Sequence, residues 1–201
     1  MQSLKKELST VFKGKGFTFV ELAIVLAVIL LLSAIILPNY WAAASQFALE
    51  RSSHELSQDI RRAAEMAMSA KELPGIGIPQ GGYGIYFEKY VVAESVAHTI
   101  LLYADRDGNG EYSINDDTVE TIYLEKGVKI ERVTFQADSK TIAESLPVDA
   151  LSINFNPPAP IVNITDGNQS VYKAFIYLTL ENDPTRIKIV EANKAGLIEV
   201  E

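Results

Sequence analysis

Residues 17–37 form an apolar run with one charge, Glu21, and this is the strongest pattern in the chain. At about 1.5 Å per residue its roughly 21 positions predict a helix of about 30 Å, enough to cross bilayer hydrocarbon. Pro38 then removes an N–H and predicts a kink. Beyond it the pattern turns amphipathic. Leu56, Ile60, Ala63 and Ala67 recur at helical spacing, with Leu49 and Ala70 extending the stripe. The opposite face holds Glu50, Arg51, Glu55, Asp59, Arg62 and Glu65, and Arg51–Glu55 and Asp59–Arg62 are spaced to pair along it. Pro74-Gly75 predicts an end near Leu73. Together the two halves make one helix of about 55 residues, far longer than ordinary globular helices.

From residue 75 the period changes. Gly75, Gly77, Pro79, Gly81 and Gly82 predict a loop. Short strand-like runs follow at Tyr83–Glu88, Thr99–Ala104, Val119–Leu124, Val128–Gln136 and Ala150–Phe155, then a stiff loop at Asn156-Pro157-Pro158-Ala159-Pro160. The last third reads as a meander, Val171–Leu180, Arg186–Glu191 and Leu197–Val200, divided by Asn182-Asp183-Pro184 and a turn over 193–196. The expected class is therefore α+β, a long N-terminal helix, transmembrane then amphipathic, packed on an antiparallel β domain. The expected divisions are a leader over 1–16, a membrane or core helix over 17–38, its amphipathic continuation over 39–73, and an extracytoplasmic domain over 74–201.

Charge gives this arrangement a direction. The leader carries Lys5, Lys6, Lys13 and Lys15 against Glu7, so subtracting its +3 from the whole chain's −8 leaves −11 for the remainder. A basic segment before an apolar helix predicts a cytoplasmic N-terminus and an exported acidic domain. With no cysteine among 201 residues, that domain must stand on its hydrophobic core without disulfides.

The stretch Gly16-Phe17-Thr18-Phe19-Val20-Glu21, followed by apolar Leu22 to Leu37 and Pro38, resembles the processing site and first helix of type IV pilins and type II secretion pseudopilins. In that family a basic leader ends in Gly, an aromatic or Met follows, and Glu is the fifth residue of the mature chain. The resemblance implies cleavage by prepilin peptidase between Gly16 and Phe17, methylation of the new N-terminus, and packing of the helix into a filament core. There Glu21 would neutralise a neighbouring subunit's terminal amine. It implies other pilin or pseudopilin subunits and an inner-membrane assembly platform as partners, and a pilin-like fold. Asp59, Arg61-Arg62, Ala63-Ala64 and Met66 ahead of the first strand, an Asp/Gly/Asn-rich turn in mid-domain and a closing hairpin also resemble the minor pseudopilin H and fimbrial T-like group. The expected protein is a structural subunit, minor rather than main, in the cytoplasmic membrane before assembly. Two plainer readings share the N-terminal composition: a secretory signal cut after Ala42-Ala43-Ala44, and an uncleaved anchor. Thr18 to Glu21 also fits a helix capping box.

Other chemistry is sparse. Asp105, Asp107 and Asn109, with Gly110 next, match ligand positions one, three and five of an EF-hand calcium loop and its required glycine; Glu111 and Asp116 complete the candidate set. Asp116 stands where that loop has a bidentate Glu, and strand-like flanks replace its helices, so an acidic hairpin turn accounts for the same residues. Calcium is thus the one candidate cofactor. The same loop allows a second class of protein, a membrane-tethered, calcium-dependent binding module that never polymerises. His54 on the polar helix face reads as solvated, and His98 opens a strand with no second His or Cys near it in sequence. No catalytic motif appears, so no enzyme is expected. DNA uptake needs clustered Lys/Arg, which an acidic domain with only Arg61-Arg62 lacks; a nucleic-acid partner is disfavoured. Loops 75–82 and 156–170 are expected to face partners.

Overall fold

The computed structural model describes residues 16–75, 77–92, 95–139, 144–157 and 161–201, leaving aside the side chains of 38–39, 41–42, 90–92 and 95–97. The basic leader, the tip of the first hairpin and Pro158-Ala159-Pro160 lie outside the described residues. Among the described residues helix α1, Phe19–Met68, is followed by nine strands: β1 Gly82–Val92, β2 Ser95–Asp105, β3 Asp117–Ile122, β4 Val128–Gln136, β5 Ala150–Asn156, β6 Ile161–Thr165, β7 Lys173–Leu180, β8 Ile187–Asn193 and β9 Ile198–Val200. The class is an α+β mix of an N-terminal apolar helix and antiparallel sheets. The chain divides into two compact units, Met1–Ala44 and Ser45–Glu201.

The first unit contains the span Phe19–Leu37, a segment of 19 residues with mean hydropathy 3.0 that is long and apolar enough to cross a membrane. None of that window is buried against the rest of the chain. Each large apolar side chain there faces outward, from Phe19 to Leu37. Exposed apolar surface on this scale is found where lipid or another protein covers it.

In the second unit the helix offers Leu49, Leu56, Ile60, Ala63 and Ala67 to the core, with Ala48 and Met66 widening the stripe. Burying Leu56 and Ile60, each 1% exposed or less, stabilises the unit by about 1.5–3 kcal/mol per side chain. Ala70 does not belong to this stripe. It is exposed, outside the helix, with φ of 46°. The N–H of Lys71 donates to the Met66 carbonyl at 3.1 Å and that of Ala70 to Ala67 at 3.1 Å. These two bonds form a Schellman motif with alanine in the left-handed position that glycine usually takes. The helix therefore stops at Met68, five residues before the stop that Pro74-Gly75 predicts. Along the polar face, Arg51 reaches across to Glu125 at 3.2 Å instead of pairing with Glu55. Arg62 spans Asp59 at 3.8 Å and Glu120 at 2.8 Å.

These strands make two antiparallel sheets, in orders β3-β2-β1-β5-β6 and β4-β7-β8-β9. The final meander is β7-β8-β9, and β4 joins it through eight register pairs, from Val128↔Leu180 to Gln136↔Lys173. In β7, Ala174, Ile176, Leu178 and Leu180 point into the shared core. Its other face is covered too: Arg132 lies 3.8 Å over the Tyr177 ring, and Tyr177 donates its hydroxyl to Glu144 at 2.7 Å. Strand β6 falls within the expected loop 156–170. Val162 and Ile164 alternate inward there and pair with Phe155 and Ile153 of β5. The far end of loop 75–82 is also not free, since Pro79, Gly81 and Gly82 are buried.

Candidate functional site

Two places concentrate the chemistry: the start of α1 and the loop between β2 and β3.

At the first, Thr18 caps the helix. Its Oγ1 accepts the Glu21 N–H at 3.2 Å and its carbonyl accepts the Leu22 N–H at 3.1 Å. A threonine here satisfies donors that the first turn leaves unpaired. The reciprocal half of a capping box is not formed. Among the described residues the Glu21 carboxylate accepts no hydrogen bond and joins no ion pair, and it is exposed among Phe19, Val20 and Leu22. Phe17 is 80% exposed, and nothing lies within 4 Å of where a Gly16 Cβ would project. Pro38 sits inside the helix, which runs through it to Met68.

The second site grows from the end of β2. Asp105 closes that strand and is fully buried. Its Oδ1 accepts the Gly108 N–H at 2.7 Å, and its Oδ2 accepts the Gly110 N–H at 2.8 Å and a longer contact from Asn154 Nδ2 at 3.4 Å. Gly108 and Gly110 hold φ of 73° and 81°, values that side chains rarely adopt. Burial pushes the Asp105 carboxyl above its usual range, with the two glycine N–H groups pulling the other way and Asp116 and Asp107 adding to the rise. Asp107 Oδ1 accepts from Asn109 N at 3.2 Å, and Asn109 Oδ1 from Glu111 N at 2.8 Å. Asp116 closes the loop, receiving Arg106 N at 2.9 Å and Ser113 N at 2.6 Å on its two oxygens.

Asp105, Asp107 and Asp116 thereby each present an oxygen within 4.8 Å of the others. Such spacing suits oxygens sharing one calcium ion at 2.3–2.6 Å. The Glu111 carboxylate stands outside this cluster, and the Asn109 side-chain oxygen is engaged with Glu111 N. Of the five expected ligands, three converge. The flanks are strands, β2 and β3, so the loop lies across a hairpin.

Three residues at this site carried no sequence signal beyond turn or strand propensity. Gly81 packs on Asp105 so closely that a Cβ would meet Oδ2 at 2.0 Å, and its N–H donates to the Asp105 carbonyl at 2.9 Å. Asn154 is a polar residue inside the apolar run of β5, the one hint that a buried polar partner awaited it. Tyr112 stacks on Tyr86, ring centroids 4.6 Å apart. The histidines diverge: His54 is exposed, whereas His98 is half-buried and burial holds it below the usual histidine range.

No family model matches the chain, and neither a curated protein nor a solved structure does so.

Proposed function

We propose that this protein is a non-enzymatic structural subunit, minor rather than main, of a type IV pilus or type II secretion pseudopilus. Prepilin peptidase would cut between Gly16 and Phe17 and methylate Phe17. The helix would then leave the membrane for a filament core built with other subunits on an inner-membrane platform. The observation that carries this reading is Glu21: an exposed carboxylate in the first turn of an unburied apolar span, unpaired among the described residues. A charge near the edge of hydrocarbon is costly, so a partner from outside the chain is expected. A neighbour's terminal amine would offset that cost and fix axial stagger, because a misplaced subunit would strand its carboxylate.

Intact mass and N-terminal sequencing of the protein from its native membrane test the processing step. A chain beginning at methylated Phe17 supports it; a start after Ala44, or an intact Met1, overturns it. Glu21→Gln then separates pairing from capping, since glutamine can still cap but carries no charge. The variant is expected to be processed yet to enter filaments poorly, and normal incorporation would remove the charge-pairing role.

The convergence of Asp105, Asp107 and Asp116 favours a second reading, a tethered module ordered by calcium. Those three residues would hold the ion, which would neutralise their charge and stiffen the loop. Thermal melting of the full chain in detergent, with and without millimolar calcium, is the test. An unchanged midpoint would argue against it.

A further inference from the structure

Beside the acidic loop, on the outer side of the five-stranded sheet, lies a cavity of about 130 Å³ bounded by Tyr86, Glu111, Tyr112, Ser152, Thr165 and Asp166. Its walls are held in place. Tyr112 donates its N–H to Ser152 Oγ at 3.1 Å, and its ring is braced edge-on by buried Tyr103 at 5.3 Å. Glu111 is fixed through its N–H on Asn109, and Gly110 just before it through its N–H on Asp105. The opposite wall is the turn after β6, where Asp166 Oδ1 accepts the N–H groups of Asn168 and Gln169 at 3.0 and 2.9 Å.

The charge in this cavity is one-sided. Among the described residues no Lys or Arg lines it, and neither Glu111 nor Asp166 joins an ion pair. Two uncompensated carboxylates repel anions. Half-buried tyrosine rings favour a cation with a flat, weakly hydrated body over a strongly hydrated metal ion. A guanidinium meets both demands, stacking on an aromatic face while donating to carboxylates. We propose that this cavity receives an arginine side chain from a partner polypeptide. The pocket belongs to the β domain and is independent of whether the chain polymerises.

The probe is N-acetyl-arginine amide, titrated into the full chain in detergent micelles with its tyrosine rings isotopically labelled and observed by NMR. The neutral isostere N-acetyl-citrulline amide is the control. Saturable shifts confined to the Tyr86 and Tyr112 rings are expected for arginine, with much weaker ones for citrulline. The double variant Glu111→Gln, Asp166→Asn keeps the shape and the turn acceptors, and should weaken binding about fivefold, two half-buried, solvent-screened charge contacts at about 0.5 kcal/mol each. No shift at tens of millimolar arginine probe, equal response to citrulline, or undiminished binding by the double variant would each overturn the proposal.

Discussion

Asp105→Ala strips the acidic loop of the group around which it is wound. The carboxylate is fully buried and accepts two backbone N–H groups, from Gly108 and Gly110, plus the Asn154 amide. Gly110 is buried, so its N–H would lose its partner without gaining water, at a cost of about 1–3 kcal/mol. Gly108 is exposed and can turn to solvent, so it adds little. Against this stands relief of a buried charge: burial raises the Asp105 pKa, which means that the ionised form is disfavoured in the fold. The lost acceptor should win, because alanine also leaves the Asn154 amide without this partner. A net loss of about 1–3 kcal/mol, at about 2–4 °C per kcal/mol for a unit of this size, predicts a midpoint lower by about 2–12 °C. The assay is thermal unfolding of the full chain in detergent, followed by near-ultraviolet circular dichroism of its tyrosines. The pH dependence gives a second handle. A raised carboxyl pKa contributes stability below the ordinary range near 4, and that contribution is lost as pH rises through the folded value. Alanine has no such term, so the gap between the two proteins should narrow as pH rises from acid. An unchanged midpoint, or a gap that widens with pH, would refute the account of Asp105 as the loop's organiser.

Three further outcomes follow from single contacts. Ala70→Gly should raise stability by about 1 kcal/mol, since the left-handed position at the helix end suits glycine, and a denaturant titration would detect it. Gly81→Ala should lower the melting midpoint, because its Cβ would fall 2.0 Å from a buried Asp105 oxygen and the strand end must shift to admit it. His98 titrates in the opposite sense to Asp105. Its pKa is held down chiefly by burial, with Lys89 adding to the effect, so its contribution is present above the ordinary range near 6.5 and lost as pH falls below that. His98→Gln should flatten the loss of stability between about pH 7 and 5, and a melting series across those values would show whether it does.

The parts of the fold that were legible in sequence are those set by local period. The helix and most strand cores repeat apolar residues at intervals their own backbone imposes, so Leu56, Ile60, Ala63 and Ala67 could be placed before any contact was known. What failed to show depended on distant partners. The helix stops at Met68 because Ala70 adopts a left-handed conformation, and alanine gives no warning of that. Strand β6 hid behind a proline run, since five residues with two inward side chains make a strand only when β5 lies alongside. Arg51 chose Glu125 over Glu55, its helical neighbour, for the same reason. At the acidic loop, spacing identified the carboxylates that converge but not what holds them. The buried Asn154 comes from β5, the close approach of Gly81 from the turn before β1, and Tyr86, the partner of Tyr112, from β1.

Glu21 and Asp105 are both carboxylates set against apolar surroundings, and the difference between them bears on function. Asp105 is buried, and its own chain supplies donors to both oxygens, so the group has its hydrogen-bond partners where it stands. The Glu21 backbone N–H donates to Thr18, but among the described residues its carboxylate has no partner, and it projects from a helix whose neighbouring side chains are fit for hydrocarbon. Helix capping alone does not account for it, because Thr18 provides the cap and the carboxylate takes no part. Solubility does not account for it either, since one charge cannot offset a 19-residue span of mean hydropathy 3.0. A group that the described residues leave unmet, at the end of a segment that they leave uncovered, would find its complement in another molecule. Lipid can cover the apolar surface, but its hydrocarbon has no donor for the carboxylate. Under the proposed function an assembly of like helices would supply both, apolar flanks for the span and a terminal amine for the charge, so filament incorporation, not membrane residence alone, is the property that Glu21→Gln should impair.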